Sequence, residues 1–418
     1  MVKKLEQNLQ INKSFKLLQM ELLEKDKKNK VLTSMMEIID QKRGDILSAN
    51  KKDLTAFDRD DQALYDRLVV NDDKIDGMIK AIQEVRDQED PVGNEISNIT
   101  LDTGLNIINK TDPFGTILII YESRPDVTIE AAVLAFKANN KILLKGGKEA
   151  NESNKVLVEC WHEALKNNGL DESWIKLMHM DRNETQEFLR NPSEKLDLIV
   201  PRGGERLIDF VKQHARCAVL ISGRGNNFLY VSPKADWNKS LKVIINAKTD
   251  KISGCNALDK VLVDKNIPNY EARLKELSET LTKLDVEVHV DKEVKNVLTD
   301  KTVITSTDIW SEEFLAMKIL IGAVDSIDDA IQMINKYSGK HSSIIMTEDN
   351  EEAKIFMEQT DSAAVYQNAS SRFTDGGQMG VGAELAISTD KLHHRGPLGL
   401  KQLVTNKYYV FGDGHVRV

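Results

Sequence analysis

The triplet Gly254-Cys255-Asn256 carries the side chains best suited to acyl chemistry in this chain of 418 residues. A thiolate is both a strong nucleophile and a good leaving group, so a cysteine can take up an acyl group and later release it. Gly254 removes a side chain beside the sulfur, and Asn256 offers amide dipoles where charge on an attacked carbonyl needs partners. The plain alternative is that Cys255 is one more small buried hydrophobe, the usual fate of a lone cysteine. To react, the thiol needs a lowered pKa, and Lys248 and Lys251 are the nearest cations in sequence. Cys160, mid-helix beside Trp161, and Cys217, ahead of an apolar strand, read as structural.

Three turns have residue types suited to holding an anion: Ser123-Arg124-Pro125, Lys145-Gly146-Gly147 and Arg202-Gly203-Gly204. A glycine pair lets backbone amides approach a phosphate, and a helix that follows adds its positive end. The same pair is as often only a tight turn. The dinucleotide fingerprint GxGxxG is absent, so a dinucleotide would bind without it. His393 and His394, next to Arg395-Gly396-Pro397, read as loop braces, and no histidine–carboxylate spacing suggests zinc, so no metal is expected.

These groups need elements to position them. Residues 1–90 read as charged helices, with apolar faces over 31–47 and 75–85. A hairpin over 96–109 turns at Asp102-Thr103-Gly104; its edge needs a cover, and a partner subunit is one. From Phe114 onward, apolar strands (116–121, 142–145, 174–178, 196–201, 218–222) alternate with helices (127–138, 148–166, 184–190, 205–214). Near-solid apolar strands in that order mean a parallel sheet covered on both faces, with ligands at the strands' carboxyl ends, where the three turns fall. The apolar run 241–247 is expected to break into a polar loop, 248–253, ahead of a short strand from Lys260. A second α/β pattern follows, with helices at 270–284, 327–336 and 352–359, strands at 286–290, 317–324 and 341–346, and a glycine-rich tail over 373–384. Lys and Arg number 57 against 66 Asp and Glu, a net charge of −9 that argues against a nucleic-acid partner. No apolar run is long enough to cross a bilayer, and MVKKLEQNLQ lacks the apolar core of a signal peptide. Three cysteines without metal or disulfide spacing suit a reducing, cytoplasmic setting.

Several runs together resemble the γ-glutamyl phosphate reductase family of the aldehyde dehydrogenase superfamily. They are ILSANKKDL at 46–54, PFGTILIIYESRPDVTIEAAVLAFKANNKILLKGGKEANESN at 113–154, LDLIVPRGG at 196–204, CNALDKVLV at 255–263 and NASSRFTDGGQMGVGAELAISTDKLHHRGPLGL at 368–400. The resemblance implies an α/β, aldehyde dehydrogenase-like fold: two parallel-sheet α/β domains plus a small β oligomerisation element. The dinucleotide-binding domain would take 1–95 and 112–222, the catalytic domain 223–400, and the oligomerisation hairpin and tail 96–111 and 401–418. Cys255 would be the nucleophile, with Ser123, Arg124, Asn256, Asn368, Gly376 and Gly377 lining the substrate and oxyanion pocket. Lys145, Gly146 and Gly147 would meet the cofactor's ribose or adenosine phosphate, Arg202, Gly203 and Gly204 its pyrophosphate, and Glu313 the nicotinamide ribose. The implied reaction is NADPH-dependent reduction of L-glutamate 5-phosphate to L-glutamate 5-semialdehyde and phosphate through a cysteine thioester, in L-proline biosynthesis. NADPH over NADH rests on the resemblance and on Lys145 and Lys148. The implied partners are a second copy of the chain and glutamate 5-kinase, supplier of the labile acyl phosphate.

Two other readings stay open: an oxidising aldehyde dehydrogenase of another substrate, and a catalytically silent dinucleotide-binding protein. Oxidation needs a carboxylate that activates water, and no acid lies between Val219 and Asn227, where the superfamily carries it. The chain departs from the family's pattern at Asp126, at Asn227-Phe228 (usually Cys-His) and at Ile252.

Overall fold

The computed structural model describes residues 21–58, 62–392 and 394–417; MVKKLEQNLQ and His393 lie outside them. A five-stranded parallel sheet runs in the order Ile175–Leu177, Lys141–Lys145, Thr116–Tyr121, Leu198–Arg202, Ala218–Val219. Its central strand, Thr-Ile-Leu-Ile-Ile-Tyr, suits a strand buried on both faces. Ile117, Ile119 and Tyr121 pack into one core, and Leu118 and Ile120 into the opposite one. On the first face helices Pro125–Lys137 and Asn151–Asn167 lie against the sheet, and helices Lys25–Gln41 and Asp72–Asp87 pack over them. The outer pair buries Val31, Leu32, Met35, Ile38 and Ile39, and Ile75, Met78, Ile82 and Val85, at helical spacing. Each such side chain contributes about 1.5–3 kcal/mol on burial.

The apolar face expected over 31–47 is divided: one helix ends at Gln41 and the next, Arg43–Ala56, starts after Lys42. Arg43 Nε bonds Asp40 Oδ1 at 2.7 Å across that break, so the turn is held by side chains that periodicity alone does not reveal. The strand expected over 218–222 pairs only at Ala218–Val219, and Ser222 instead forms an isolated antiparallel bridge to Ser388.

The second parallel sheet has seven strands, ordered Thr302–Val303, Glu287–Val290, Lys318–Val324, Leu258–Asp264, Asn227–Val231, Ser342–Met346, Ala364–Gln367. Alternate residues again serve two cores, Leu229, Val261, Val263 and Ile321 on one side and Phe228, Tyr230, Leu262 and Leu320 on the other. The run 241–247 belongs to a helix, Trp237–Thr249, whose N-terminus is capped by Asp236. Lys248 is therefore in a last helical turn rather than a loop, because a buried acid, Asp259, draws it inward.

A small antiparallel sheet completes the α/β architecture. Strands Glu95–Thr100 and Asn106–Pro113 form the expected hairpin, and Val404–Phe411 adds to it in register from Val404↔Pro113 to Phe411↔Asn106. Ile96, Ile99, Tyr408, Val410 and Phe411 on this sheet are each more than half exposed. A two-stranded ribbon, Ala386–Ser388 with Gly396–Leu398, packs Leu385, Ala386 and Leu398 into the core of the five-stranded sheet.

Candidate active site

Cys255 is half-buried in the turn between helix Trp237–Thr249 and strand Leu258–Asp264. Two short backbone bonds, Gly254 N–H to Lys251 O at 3.1 Å and Ala257 N–H to Gly254 O at 2.9 Å, fold the turn tightly. Gly225 abuts it so closely that a Cβ there would overlap the Cys255 backbone, which is why glycine stands at that position. Asn227 secures the Cys255 turn: its Nδ2 lies 2.8 Å from Cys255 O, 2.7 Å from Ala257 O and 3.0 Å from Gly225 O. The sequence shows Asn227 only as a departure from the family's pattern; its anchoring role emerges from the fold. The Asn256 carboxamide does not point its donors at a substrate. Its Nδ2 donates to Arg372 O at 3.2 Å and Thr374 O at 3.0 Å, tying the 371–374 turn to the nucleophile, while its Oδ1 is buried without a partner.

The electrostatic setting of the thiol differs from the one expected. Burial pushes the Cys255 thiol up to about 11, and Arg202 is the strongest opposing influence; Glu384 and Glu313 add to the rise and Arg124 counters it. Lys248 plays no part, since its ammonium is spent on Asp259 Oδ1 at 3.0 Å. The cations that oppose the rise are instead two arginines at neighbouring strand ends of the five-stranded sheet: Arg202 pairs in register with Tyr121, and Arg124 lies three residues after Tyr121. Arg124 Nη2 is itself paired with Asp126 Oδ2 at 2.8 Å. Burial raises the other two thiols as well, that of Cys160 to about 12.

The Ser123 turn and the Arg202-Gly203-Gly204 turn each present an amide to an acidic oxygen. Ser123, strained at φ +35° and buried, donates its N–H and Oγ to Glu149 Oε1 at 2.8 and 2.7 Å. The same carboxylate fills the space a Cβ on Gly147 would need, and Gly146 lies against Tyr121 and Asn154. Lys145 Nζ folds back onto Gly146 O at 2.9 Å, and burial lowers its pKa. Gly204 opens helix Glu205–His214, and its N–H donates to Glu122 Oε2 at 3.4 Å, with Gly203 beside the same carboxylate. An N–H that donates to a carboxylate oxygen can donate to a phosphate oxygen, so the Gly204 amide, at a helix N-terminus, fits a phosphate of a nicotinamide dinucleotide. Glu313 Oε1 accepts from Gly225 N–H at 2.9 Å, which sets that acid against the nucleophile loop.

The glycine-rich loop folds on itself: Val381 and Gly382 N–H donate to Gly376 O at 2.8 and 3.0 Å, and Gly377 N–H donates to Asp375 Oδ1 at 3.0 Å. This fold carries Glu384 inward, where burial pushes it up to about 7 and Arg202 opposes the rise; its Oε2 is buried without a partner. Sequence reasoning passed over Glu384 as the end of a loop. Asn368, at φ +54°, is a brace: it accepts from Thr347 N–H at 2.9 Å and donates to Thr347 O at 2.7 Å. His394 likewise braces its own loop, 3.0 Å from Pro397 O. Among the described residues no group of three or more His, Cys, Asp or Glu could hold a metal ion.

Residues 12–301 match the aldehyde dehydrogenase family. The γ-glutamyl phosphate reductase of Thermotoga maritima is 44% identical over 393 residues, spanning 93% of this chain and 94% of its own. That of Persephonella marina is 40% identical over 401 residues, spanning 94% and 90%. A crystal structure of the Thermotoga maritima γ-glutamyl phosphate reductase superposes with a TM-score of 0.90 at 43% identity, covering 95% of each chain. An acetylating aldehyde dehydrogenase from Geobacillus thermoglucosidasius shares the fold, with a TM-score of 0.66 at 16% identity. The chain belongs to the aldehyde dehydrogenase family and, within it, to the γ-glutamyl phosphate reductases.

Proposed function

We propose that this protein reduces L-glutamate 5-phosphate to L-glutamate 5-semialdehyde and inorganic phosphate with NADPH, as a step of L-proline biosynthesis in the cytoplasm. The observation that carries the reading is a cysteine turn opposed by two arginines from the other sheet. The Cys255 thiolate attacks the acyl carbon, the carbon–oxygen bond to phosphate breaks, and phosphate departs with the electron pair. Arg202 and Arg124 stabilise first the thiolate and then the departing anion. When bound, the reduced nicotinamide supplies a hydride to the acyl carbon. Cys255 then leaves as thiolate and frees the aldehyde. Glu313 holds the nicotinamide ribose, the Gly203 and Gly204 amides take the pyrophosphate, and Lys145, Gly146 and Gly147 take the adenosine end. Lys145 and Lys148 favour NADPH over NADH.

In this reading 1–95 and 112–222 form the cofactor unit and 223–400 the catalytic unit. The exposed apolar residues of the three-stranded sheet are covered by a second copy of the chain, and glutamate 5-kinase supplies the acyl phosphate.

An oxidising reading draws on one observation: Glu384, held near neutrality by burial, acts on the thiol and is a carboxylate that could activate water. The reaction run backwards separates the two. With pyrroline-5-carboxylate, phosphate and NADP⁺, the wild type is expected to form NADPH only when phosphate is present, and Cys255→Ala to form none. NADPH formation without phosphate would refute the acyl-phosphate reading in favour of hydrolysis.

A further inference from the structure

Strand Leu258–Asp264 lies inside the seven-stranded sheet, between Asn227–Val231 and Lys318–Val324, and all of its residues are buried. Such a strand normally reads as a continuous apolar run. This one carries Asp259 and Lys260, and Asp259 is paired with Lys248, itself wholly buried. Buried charges of this kind cost more than apolar side chains of the same size, so their presence needs a reason.

The register slips where they occur. Asn227 pairs with Leu258, but the next residue, Phe228, pairs with Lys260, which leaves Asp259 as the extra residue of a bulge. Strict alternation would send consecutive side chains to opposite faces; a bulge re-aims them. Here both reach one turn. Lys260 Nζ donates to Glu312 O at 2.7 Å and stands 3.5 Å from the centroid of the Phe314 ring. Asp259 Oδ2 accepts from Phe314 N–H at 2.8 Å while its Oδ1 holds Lys248. The peptide groups before and after Glu313 are therefore each held by one of these side chains. The turn needs the restraint, because Leu315 sits at φ +47°, a region that leucine avoids. Burial also holds the Lys260 amine down at about 7, which eases its place in the core.

We propose that Asp259 and Lys260 are positioning residues that fix Glu313, and with it the nicotinamide end of the cofactor, at a set distance from Cys255. The inference rests on the reading of Glu313 as the group that holds the nicotinamide ribose. The clamping strand begins three residues beyond the nucleophile, so one element sets both sides of the reaction.

The test is binding of NADPH, followed by fluorescence, beside binding of adenosine 2′,5′-bisphosphate, which lacks the nicotinamide half. Lys260→Met and Asp259→Asn are expected to weaken NADPH between about tenfold and a hundredfold, the scale on which lost positioning is felt, and to leave adenosine 2′,5′-bisphosphate unchanged. The double variant Lys260→Met/Glu313→Gln is expected to bind NADPH no more weakly than Glu313→Gln alone, since Lys260 acts through Glu313. Wild-type NADPH affinity in both single variants, equal weakening of the two ligands, or additive losses in the double variant would overturn the proposal. Failure of the underlying reading shows separately, as Glu313→Gln binding NADPH like the wild type, and it would remove the proposal too.

Discussion

Replacing Arg202 with methionine tests the electrostatics of the nucleophile most directly. With its thiol pushed up to about 11, Cys255 in the resting protein holds on the order of one thiolate in a thousand at pH 8. Arg202 is the largest influence keeping that fraction from falling further. A neighbouring opposite charge is worth about 1–3 pKa units, so Arg202→Met should lower the thiolate population about 10- to 1000-fold. The assay is the rate of iodoacetamide alkylation of Cys255 against pH, in a Cys217→Ser background that removes the other half-buried thiol. Below the thiol pKa the rate follows the thiolate fraction, so the whole profile should move to higher pH in the variant. Glu384→Gln, which removes a negative charge acting on the same sulfur, should move it the opposite way. Alkylation of Arg202→Met at the wild-type rate or faster would refute the argument. Unchanged alkylation combined with weakened NADPH binding would return Arg202 to the pyrophosphate role expected from the sequence.

Stability and chemistry each give further checks. Glu384 has its pKa raised from 4.5 to about 7, so the folded state favours its neutral form. The stability it contributes is fully present below pH 4.5 and is lost as pH rises through 7; Glu384→Gln should match the wild type in urea unfolding at pH 4 and exceed it at pH 8 by at most about 3 kcal/mol. An advantage at low pH only would contradict this sign. Gly225→Ala drives a methyl group into the Cys255 backbone and should abolish turnover, with circular dichroism reporting an intact fold. Wild-type turnover in that variant would mean the loop relaxes freely. Lys248→Met strands Asp259 as an unpaired buried charge and should cost about 3–5 kcal/mol in urea unfolding; a loss under 1 kcal/mol would show that water reaches the pair.

The strands were legible because burial on both faces leaves no choice but solid apolar runs: Thr116–Tyr121 and Ser342–Met346 could be read almost to the residue. Cys255 was legible because glycine and asparagine flank it in a familiar run. What stayed hidden depends on side-chain direction. Lys248 is close to Cys255 in sequence, but the helix Trp237–Thr249 turns it to Asp259; Arg202 is far from Cys255 in sequence, yet a parallel strand end delivers it. Asn256 by its type, and Asn368 by the family resemblance, were expected at the substrate pocket, but in the fold their amides donate to backbone carbonyls of the 371–374 turn and of Thr347. The bulge at Asp259 leaves no trace in composition, since it is a property of how two strands meet.

The pairing of Val404–Phe411 with Asn106–Pro113 also has a temporal meaning. Strand Asn106–Pro113 emerges from the ribosome nearly three hundred residues before its second neighbour, Val404–Phe411, does. At about 5–20 residues per second of synthesis, its open hydrogen-bonding edge waits roughly 15–60 s for closure. The nascent chain must survive that interval with an adhesive rim in view, so Val404–Phe411 also shields that rim from sister polypeptides.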